Sequence, residues 1–399
     1  MKILWVKTDF LHPTTRGGQI RTLEMLKALH RRHEIHYVAF DDGLNPEGLQ
    51  RSSEYCSYAY PVPHSVPPRR SIRFAGQLLR GFVSPVPVSV ARYVSSGMKR
   101  QIETLLLHHK FDSLVCDFLF PAPNIPDISR AVLFQHNVES VIWRRHAEEA
   151  RNWAKRLYFR LQAQRMEQFE RDICRRAGRI VAVSEIDRSA MQQLFGAERI
   201  NSIATGVDIE YFAPPPSSES KADLIFVGSM DWLPNIDAIE YFAAEILPRI
   251  QKSRPECRVL VAGRRPTPAL QDLARRQPHI VLTGTVPDVR PFLWGSTVSM
   301  VPLRIGGGTR LKIFEAIAAK LPVVSTLVGA EGLPLENGRQ ILIADTPDAF
   351  ADCCLKLLAD AALRRQIAAD AWEFVASRFS WGAVTRDFET ALEAGPRPD

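Results

Sequence analysis

The chain has 399 residues, of which 46% are hydrophobic and 24% are charged, so it is long enough for two globular domains with complete cores. No stretch approaches the apolar length of a membrane span, and the five apolar residues before Asp9 are too few for a signal peptide. The six cysteines show no C-x-x-C spacing, which argues against a zinc site and is typical of reduced thiols in a cytoplasmic protein.

Positive charge is concentrated in the first half of the chain. Residues 1–200 hold 30 Lys and Arg against 20 Asp and Glu, whereas residues 201–399 hold 21 against 24. This asymmetry suggests that the first half faces something anionic. A membrane surface, a lipid diphosphate acceptor and nucleic acid would each serve, and a merely solvated basic surface explains the charge equally well.

The chain opens with the pattern of a Rossmann-like domain. A buried strand is predicted over residues 2–6, followed by a loop with Arg16, Gly17 and Gly18 and then by a helix over Ile20 to His30. The loop does not read G-x-G-x-x-G, so a nicotinamide cofactor is not favoured.

Residues 60–97 are rich in proline and arginine. Apolar residues alternate there with arginines over 69–82, which is the pattern of a basic amphipathic element that contacts a membrane. The pattern is more typical of a helix that packs on its own domain with its arginines outward.

Further strands are predicted at 35–40, 113–116, 132–134, 179–183 and 199–204, with Asp117 directly after the second of these, and the region 141–176 is strongly helical. The strand at 132–134 places His136 and Glu139 just past its carboxyl end, where open parallel sheets bind their ligands. A histidine there is well placed to hydrogen-bond a substrate hydroxyl, although a lone histidine is more often structural.

A second α/β pattern begins after the proline- and serine-rich residues 213–222. Strands are predicted at 224–227, 258–262 and 280–282, and a helix is predicted over 234–250. Each strand ends on small residues, beginning with Gly228 and Ser229. Small residues clear space along the carboxyl edge of a parallel sheet. The segment GSMDWLPN contains no cation, which leaves the positive charge for a bound phosphate to Arg310 and Lys312.

The stretch 298–326 carries the most specific pattern: a strand, the glycine turn 306–308, a helix over 310–319 and another strand. Bare N–H groups at the turn and at the helix start form an anion site, and Arg310 and Lys312 in the first turn argue for a bound phosphate. Glu315, one turn deeper, is placed to accept hydrogen bonds from two sugar hydroxyls. The alternative is a glycine turn before an amphipathic helix with two solvated cations.

These segments resemble the retaining GT-B glycosyltransferases of family 4, with the "glycosyl transferases group 1" carboxyl domain. The resemblance rests on FEAIAAKLPVVST, in which Lys320 replaces the usual glycine, and on FQHNVES, VSEID and TGVD. The family often has two glutamates in the donor site, and the position of the first is Gly307 here. A branch with GGGTR-x-K-x-x-EA is similar to this chain, and there Arg and Lys take the pyrophosphate.

The resemblance implies an α/β GT-B fold, in which two Rossmann-like doubly wound domains face a central cleft. It places the acceptor-side domain at 1–207, a linker at 208–222 and the donor domain at 223–379, with a terminal helix within 380–399 that packs back on the first domain. The implied reaction is retaining transfer of a sugar, of the hexosyltransferase type, from a nucleotide diphosphate sugar such as a UDP-sugar. The acceptor is a hydroxyl of a glycan, a lipid-linked sugar or a small molecule.

The resemblance also assigns roles to residues of this sequence. Catalytic roles fall to His136, Arg310 and Lys312. Donor binding falls to Gly18, Gly228, Ser229, Gly307, Gly308, Thr309 and Glu315. The acceptor side is assigned Arg16, Gly17 and Glu139, and bracing of the neighbouring backbone is the alternative role for Glu139. No D-x-D motif stands in a suitable place, so no metal and no cofactor are expected. A cytoplasmic protein, with peripheral contact to the inner face of a membrane as an option and no nucleic acid partner, fits this assignment.

Three other hypotheses stay open at this point. The missing first glutamate would suit a GT-B protein that binds a nucleotide sugar or a partner but no longer transfers. A GT-B sugar epimerase would keep the fold but needs acid and base carboxylates that the sequence does not display. A Rossmann oxidoreductase is disfavoured by the absence of a nicotinamide fingerprint.

Overall fold

The structure, a computed structural model, describes residues 1–14, 17–66, 71, 76, 81, 84–149, 152–216, 221–305 and 311–396. The chain divides into two units, one of Met1–Ala204 with Val384–Asp399 and one of Thr205–Ala383. Residues Ile209–Phe212, which the sequence analysis places in the linker, form a short helix of the second unit.

The first unit is built on a seven-stranded parallel sheet with the order β3-β2-β1-β4-β5-β6-β7. The strands are β1 Lys2–Val6, β2 Glu34–Asp41, β3 Tyr58–Pro63, β4 Ser113–Asp117, β5 Val132–Gln135, β6 Arg179–Ala182 and β7 Ile200–Ser202. The order reverses between β1 and β4, which makes that point the expected ligand crevice of a doubly wound sheet.

Helices flank this sheet, and the region predicted as helical over 141–176 is two helices rather than one. The helices of the first unit are Gly17–His30, Pro46–Gln50, Val88–Ala91, Ser96–His108, Glu139–Glu149, Trp153–Arg176 and Glu185–Phe195. The side chain of Asn152 accepts hydrogen bonds from the amides of Ala154 and Lys155 and so begins the second helix of the pair.

The core of the first unit contains the aromatic cluster of Trp5, Phe134 and Phe388. The Trp5 and Phe134 ring centres are 6.2 Å apart, and Phe388 lies 5.0 Å from Phe134. Phe388 belongs to the terminal helix Trp381–Glu393, whose residues from Val384 onward form part of this unit. Burial of three large aromatic side chains therefore ties the end of the chain to the first and fifth strands.

Strand β3 was missed by the sequence analysis, which treated residues 60–97 as one stretch rich in proline and arginine. Pro61 and Pro63 lie within this strand. Proline cannot donate to a strand ladder, but β3 is at the edge of the sheet, where proline is tolerated. The prediction failed because the position of a strand in the sheet is not visible in its own sequence.

The second unit has a six-stranded parallel sheet with the order β10-β9-β8-β11-β12-β13, so it reverses between β8 and β11. The strands are β8 Ala222–Val227, β9 Val259–Ala262, β10 Ile280–Gly284, β11 Ser296–Val301, β12 Val323–Ser325 and β13 Leu342–Ile343. The helices after Ile209–Phe212 are Leu233–Tyr241, Leu247–Ser253, Pro268–Arg276, Arg290–Trp294, Leu311–Ala318, Pro347–Ala359 and Ala361–Phe379. The predicted α/β class with two doubly wound sheets is confirmed.

The predicted single helix over residues 234–250 contains a π-helical turn, Phe242–Ile246, between two α-helices. Pro248, at the start of the third segment, has no N–H group to donate to a preceding carbonyl. The π-helical turn, with its wider hydrogen-bond spacing, therefore lies next to a proline that cannot donate in a regular α-helix.

Lys320 ends the helix Leu311–Ala318 in a left-handed conformation, with φ +59°. The amide of Leu321 donates to the carbonyl of Ala316, and the amide of Lys320 donates to that of Ile317. This is the Schellman pattern, in which the left-handed position favours glycine. The chain therefore keeps a lysine at a position where a side chain is strained.

We expect Lys320→Gly to stabilise the second unit by about 0.5 to 1 kcal/mol, because glycine adopts this conformation without a clash between Cβ and the backbone. Lys320→Ala is the matched variant, since it removes the charge but keeps the strain. Thermal unfolding followed by circular dichroism should give a higher Tm for Lys320→Gly than for the unmodified protein. A glycine variant that melts below the alanine variant would contradict this explanation.

Among the described residues, no helix combines the length and apolar character needed to cross a bilayer. All six cysteines are free, and five of them are buried. The apolar residues of the predicted basic amphipathic element lie outside the described residues: Ile72, Phe74, Leu78, Leu79 and Phe82. Membrane contact through that element stays a prediction.

Candidate active site

In the second unit, predicted donor residues meet at the carboxyl ends of the strands, beside the reversal between β8 and β11. Gly228 and Ser229 follow β8, and the helix Leu311–Ala318 follows β11 and its loop. The Lys312 ammonium donates to the Asn235 side-chain oxygen at 2.7 Å and lies 4.1 Å from the centre of the Phe226 ring. Lys312 is thus held at the sheet edge that binds ligands in this architecture.

Glycine is required at two positions of this edge because neighbouring atoms leave no room for a side chain. A Cβ on Gly263 would lie 1.7 Å from the carbonyl oxygen of Gly228, so the two strand ends touch through their backbones. A Cβ on Gly228 would lie 2.7 Å from Asn235 Nδ2 and 3.1 Å from Lys312 Nζ. Any side chain at Gly228 would therefore push against the two groups that form the floor of the site.

A cation that the sequence analysis did not expect lies beside Ser229. The guanidinium Nε of Arg264 donates to Ser229 Oγ at 2.8 Å, and Ser229 Oγ donates to Asp231 at 2.6 Å. Arg264 follows β9, which pairs with β8, so the fold supplies from the neighbouring strand the charge missing in GSMDWLPN. Arg264 therefore adds a further cation to Arg310 and Lys312, to which the sequence left the positive charge at this site.

Glu315 lies on the same helix as Lys312, one turn further along, and is partly buried. Burial raises the pKa of the Glu315 carboxyl, and the positive charge of Lys312 opposes that shift. Among the described residues, the Glu315 carboxyl has no hydrogen-bond partner. A partly buried carboxyl without donors is suited to accept hydrogen bonds from a ligand.

Several predicted site residues lie outside the described part of the chain: Arg16, Gly307, Gly308, Thr309 and Arg310. Their assigned roles, and the GGGTR part of the motif, therefore stay predictions. Gly17 and Gly18 are the first two residues of the helix Gly17–His30.

In the first unit, the carboxyl end of β4 carries a buried ionic cluster around Asp117. One carboxylate oxygen accepts from Lys7 Nζ at 2.9 Å and from His136 Nε2 at 2.7 Å. The other accepts from Trp5 Nε1 at 2.9 Å and from Thr22 Oγ1 at 2.8 Å. Burial alone would raise the pKa of Asp117, but the Lys7 charge and the hydrogen bonds from His136 and Lys7 hold it well below its usual range.

This environment defines the state of His136. Burial lowers the pKa of His136 to about 4, against the attraction of Asp117, so the ring is neutral at pH 7. The ionised Asp117 can only accept, so Nε2 carries the ring proton and Nδ1 has a lone pair. Nδ1 is buried without a partner among the described residues, and a Cβ on Gly18 would lie 3.4 Å from it. His136 therefore offers a hydrogen-bond acceptor next to a position with no side chain.

Among the described residues, the carboxylate that braces the backbone beside Glu139 belongs to Glu170 and not to Glu139 itself. The Glu170 carboxylate accepts from the amides of Glu139 and Ser140, both at 2.8 Å. Burial raises the pKa of both Glu139 and Glu170 to about 7, and the charge of Glu170 adds to the shift at Glu139. The acceptor-side role of Glu139 stays a prediction.

Four partners of site residues were not predicted from the sequence: Lys7, Thr22, Glu170 and Arg264. Asp117 was noted only as the residue that follows a predicted strand. One signal was present for Asp117 and Lys7, because both lie at the carboxyl ends of predicted strands. That these two strands are neighbours follows from the sheet order, which places residues 110 positions apart side by side.

Two parallel sheets of Rossmann type, with glycines, cations and a carboxyl at the strand ends of the second, match the architecture that the sequence predicted for a GT-B glycosyltransferase. The model described as "Glycosyltransferase Family 4" matches residues 15–211, and that described as "Glycosyl transferases group 1" matches residues 221–360. The chain belongs to this family 4, group 1 class of glycosyltransferases, so the resemblance seen in the sequence is confirmed.

The chain is also similar to individual proteins and to solved structures. An "Uncharacterized 44.6 kDa protein in cps region" of Klebsiella pneumoniae is 19% identical over 398 residues, covering 95% of this chain and 96% of its own. A "D-inositol 3-phosphate glycosyltransferase" of Frankia alni is 28% identical over 247 residues, covering 54% of this chain and 59% of its own. The crystal structure of Anabaena HepE with UDP and glucose has the same fold, with a TM-score of 0.64 at 15% identity, over 99% of this chain and 100% of that one.

Proposed function

We propose that this protein is a retaining glycosyltransferase of the hexosyltransferase type that takes its sugar from a nucleoside diphosphate sugar, with UDP as the nucleotide. The acceptor is a hydroxyl group of a glycan, a lipid-linked sugar or a small molecule. The observation that carries the proposal is the arrangement of Lys312, Asn235 and Gly228 at the carboxyl edge of the second sheet. The presence of UDP in the HepE structure supports the choice of nucleotide.

The charge at this edge suits a diphosphate. In the reaction the bond between the anomeric carbon and the diphosphate oxygen breaks, a bond to the acceptor oxygen forms, and the proton of the acceptor hydroxyl passes to an oxygen of the departing diphosphate. Negative charge therefore grows on the leaving diphosphate, and fixed donors aimed at it lower the barrier. We assign this role to Lys312, Arg310 and the backbone of residues 307–309, with Arg264 near the end of the diphosphate. The proposal needs no divalent ion, because side-chain cations supply the neutralising charge.

The remaining site residues suit the sugars of the donor. Glu315 is assigned to the two ribose hydroxyls, because its carboxyl lies one turn below Lys312 and lacks donors among the described residues. His136 is assigned to orient a hydroxyl of the transferred sugar through Nδ1. A pKa near 4 makes His136 a poor base at pH 7, so its role is to accept a hydrogen bond and not to remove a proton.

A thermal-shift panel of nucleoside diphosphate sugars, followed by a transfer assay with mass detection, tests the proposal. We expect a UDP-sugar to raise Tm and to be consumed, with unchanged rates in EDTA. The anomeric proton coupling of the product should report retention. Stabilisation without transfer or donor hydrolysis would favour the silent GT-B alternative, and no response to any nucleotide would refute the proposal.

Glu315→Gln is expected to weaken donor binding by about tenfold to a hundredfold, because two charge-assisted hydrogen bonds become neutral or are lost. Binding of UDP measured by calorimetry should fall, whereas binding of a diphosphate without ribose should change little. Glu245→Gln, on the exposed side of the π-helical turn, is the matched control. An unchanged UDP affinity in Glu315→Gln would count against the ribose contact.

A further inference from the structure

A cavity of about 800 Å³ lies within the second unit, at the amino ends of its strands. Its wall includes Ser296 and Thr297, which begin β11, and Leu321 and Pro322, which precede β12. The proposed donor residues follow the carboxyl ends of the same sheet. The six residues of β11 separate the two edges by roughly 20 Å, so this cavity is distinct from the donor site.

Positive charge dominates the lining of this cavity. It contains Lys320, Arg364 and Arg365 and a single acid, Glu373. Arg364 is fixed by donation from Nη1 to the carbonyl of Leu357 at 2.7 Å. Neither Lys320 nor Arg365 has an acidic partner among the described residues. A ligand that carries negative charge would therefore be attracted to this cavity.

Two tryptophans line the same cavity and supply flat apolar surface. The Trp294 ring is held by donation from its Nε1 to the carbonyl of Phe212 at 2.8 Å. The Lys320 ammonium lies 5.3 Å from the centre of the Trp372 ring, so charge and aromatic surface are within reach of one ligand. A pyranose ring has an apolar face of C–H groups that packs well on indole, and its polar substituents point to the sides.

The conformation of Lys320 is an independent observation in favour of a ligand. The left-handed end of the helix Leu311–Ala318 favours glycine, yet this chain places a long cationic side chain there. Strain that persists at one residue is typical of functional positions. The side chain kept at this cost is the one that joins the Trp372 ring to the positively charged wall.

We propose that this cavity binds an acidic saccharide, with a sugar ring on Trp372 and its carboxylate or phosphate at Lys320, Arg364 and Arg365. The site is separate from the donor site and does not depend on the proposed transfer reaction. The cavity gives the protein a second binding site for carbohydrate, away from the site of the proposed transfer reaction.

Calorimetry on the full chain tests this proposal with three probes: short oligomers of galacturonic acid, neutral glucose oligomers of equal length and inorganic phosphate. The acidic oligomer is expected to bind best. Lys320→Gly should weaken it about tenfold, through loss of one charged contact, while the protein stays folded because glycine suits that position. Trp372→Ala should weaken it similarly. Lys252→Ala, an exposed lysine on another helix, is the matched control and should bind as the unmodified protein does.

Each other result overturns the proposal. Equal binding of the neutral oligomer would remove the role of charge, and phosphate that binds as tightly as the acidic oligomer would make this a simple anion site. Binding to vesicles of anionic lipid that Lys320→Gly abolishes would point to a lipid headgroup instead. Failure of the acidic oligomer to bind would refute the saccharide. Transfer activity is measured alongside and should be unchanged in Lys320→Gly, so the two proposals fail separately.

Discussion

Asp117→Asn is expected to destabilise the first unit by about 3 to 5 kcal/mol, because it leaves the buried Lys7 ammonium without its counter-charge. The Asp117 side chain is fully buried and that of Lys7 is 8% exposed, so water cannot replace the lost partner. Hydrogen exchange of the β1 and β4 amides measures this directly, since it reports the opening of the strands that carry the pair.

Two further variants isolate the charge effect. Lys7→Met combined with Asp117→Asn should recover part of the lost stability, because no unpaired charge is then buried. Asp172→Asn removes a carboxylate from an exposed pair with Arg176 and should change stability by less than about 0.5 kcal/mol. If Asp117→Asn exchanged no faster than Asp172→Asn, the buried cluster would not stabilise the unit as described.

The same cluster implies a pH dependence with a definite sign. His136 has a folded pKa of about 4, below its ordinary value of 6.5, so protonation favours the unfolded chain. Its contribution to stability is complete above pH 6.5 and is lost as pH falls from there toward 4. Glu139 and Glu170 have pKa values raised from 4.5 to about 7, so protonation of these two groups favours the folded chain. Their contribution to stability is complete below pH 4.5 and is lost as pH rises from there toward 7.

Lys312→Ala is expected to lower kcat/KM for transfer by about a hundredfold, which corresponds to about 3 kcal/mol for one charged donor at the leaving group. The reason is that the Lys312 ammonium is fixed by Asn235 next to Gly228, so its orientation is already set before the donor binds. Steady-state transfer rates with saturating acceptor measure the loss.

Lys356→Ala is the control for that experiment, because Lys356 is exposed and lies on the separate helix Pro347–Ala359. Asn235→Leu should give a smaller loss than Lys312→Ala, since it removes the support for the ammonium but not the ammonium itself. Transfer by Lys312→Ala at the rate of the Lys356→Ala control would remove Lys312 from the mechanism.

The strands and the broad class of this protein could be predicted because buried parallel strands leave a strong local pattern. The strand β11 and the helix that carries Lys312 and Glu315 could also be predicted, since they lie close together in the chain. The edge strand β3 could not be predicted, because its prolines are acceptable only at a position that the sheet order decides.

The partners of the site residues could not be predicted for the same physical reason. Arg264 reaches Ser229 because β9 pairs with β8, and Lys7 reaches Asp117 because β1 pairs with β4. Both contacts join residues far apart in sequence, and neither has a local pattern of its own. The unusual Lys320 was visible in the sequence, but only the left-handed helix end shows why glycine would be easier there.

A crystal structure of the protein with UDP tests the central claim most directly. The account predicts the diphosphate within hydrogen-bond distance of Lys312 Nζ, and the ribose hydroxyls on the Glu315 carboxyl. A nucleotide bound elsewhere, for example in the cavity beside Trp372, with Lys312 and Glu315 making no contact to it, would contradict the account.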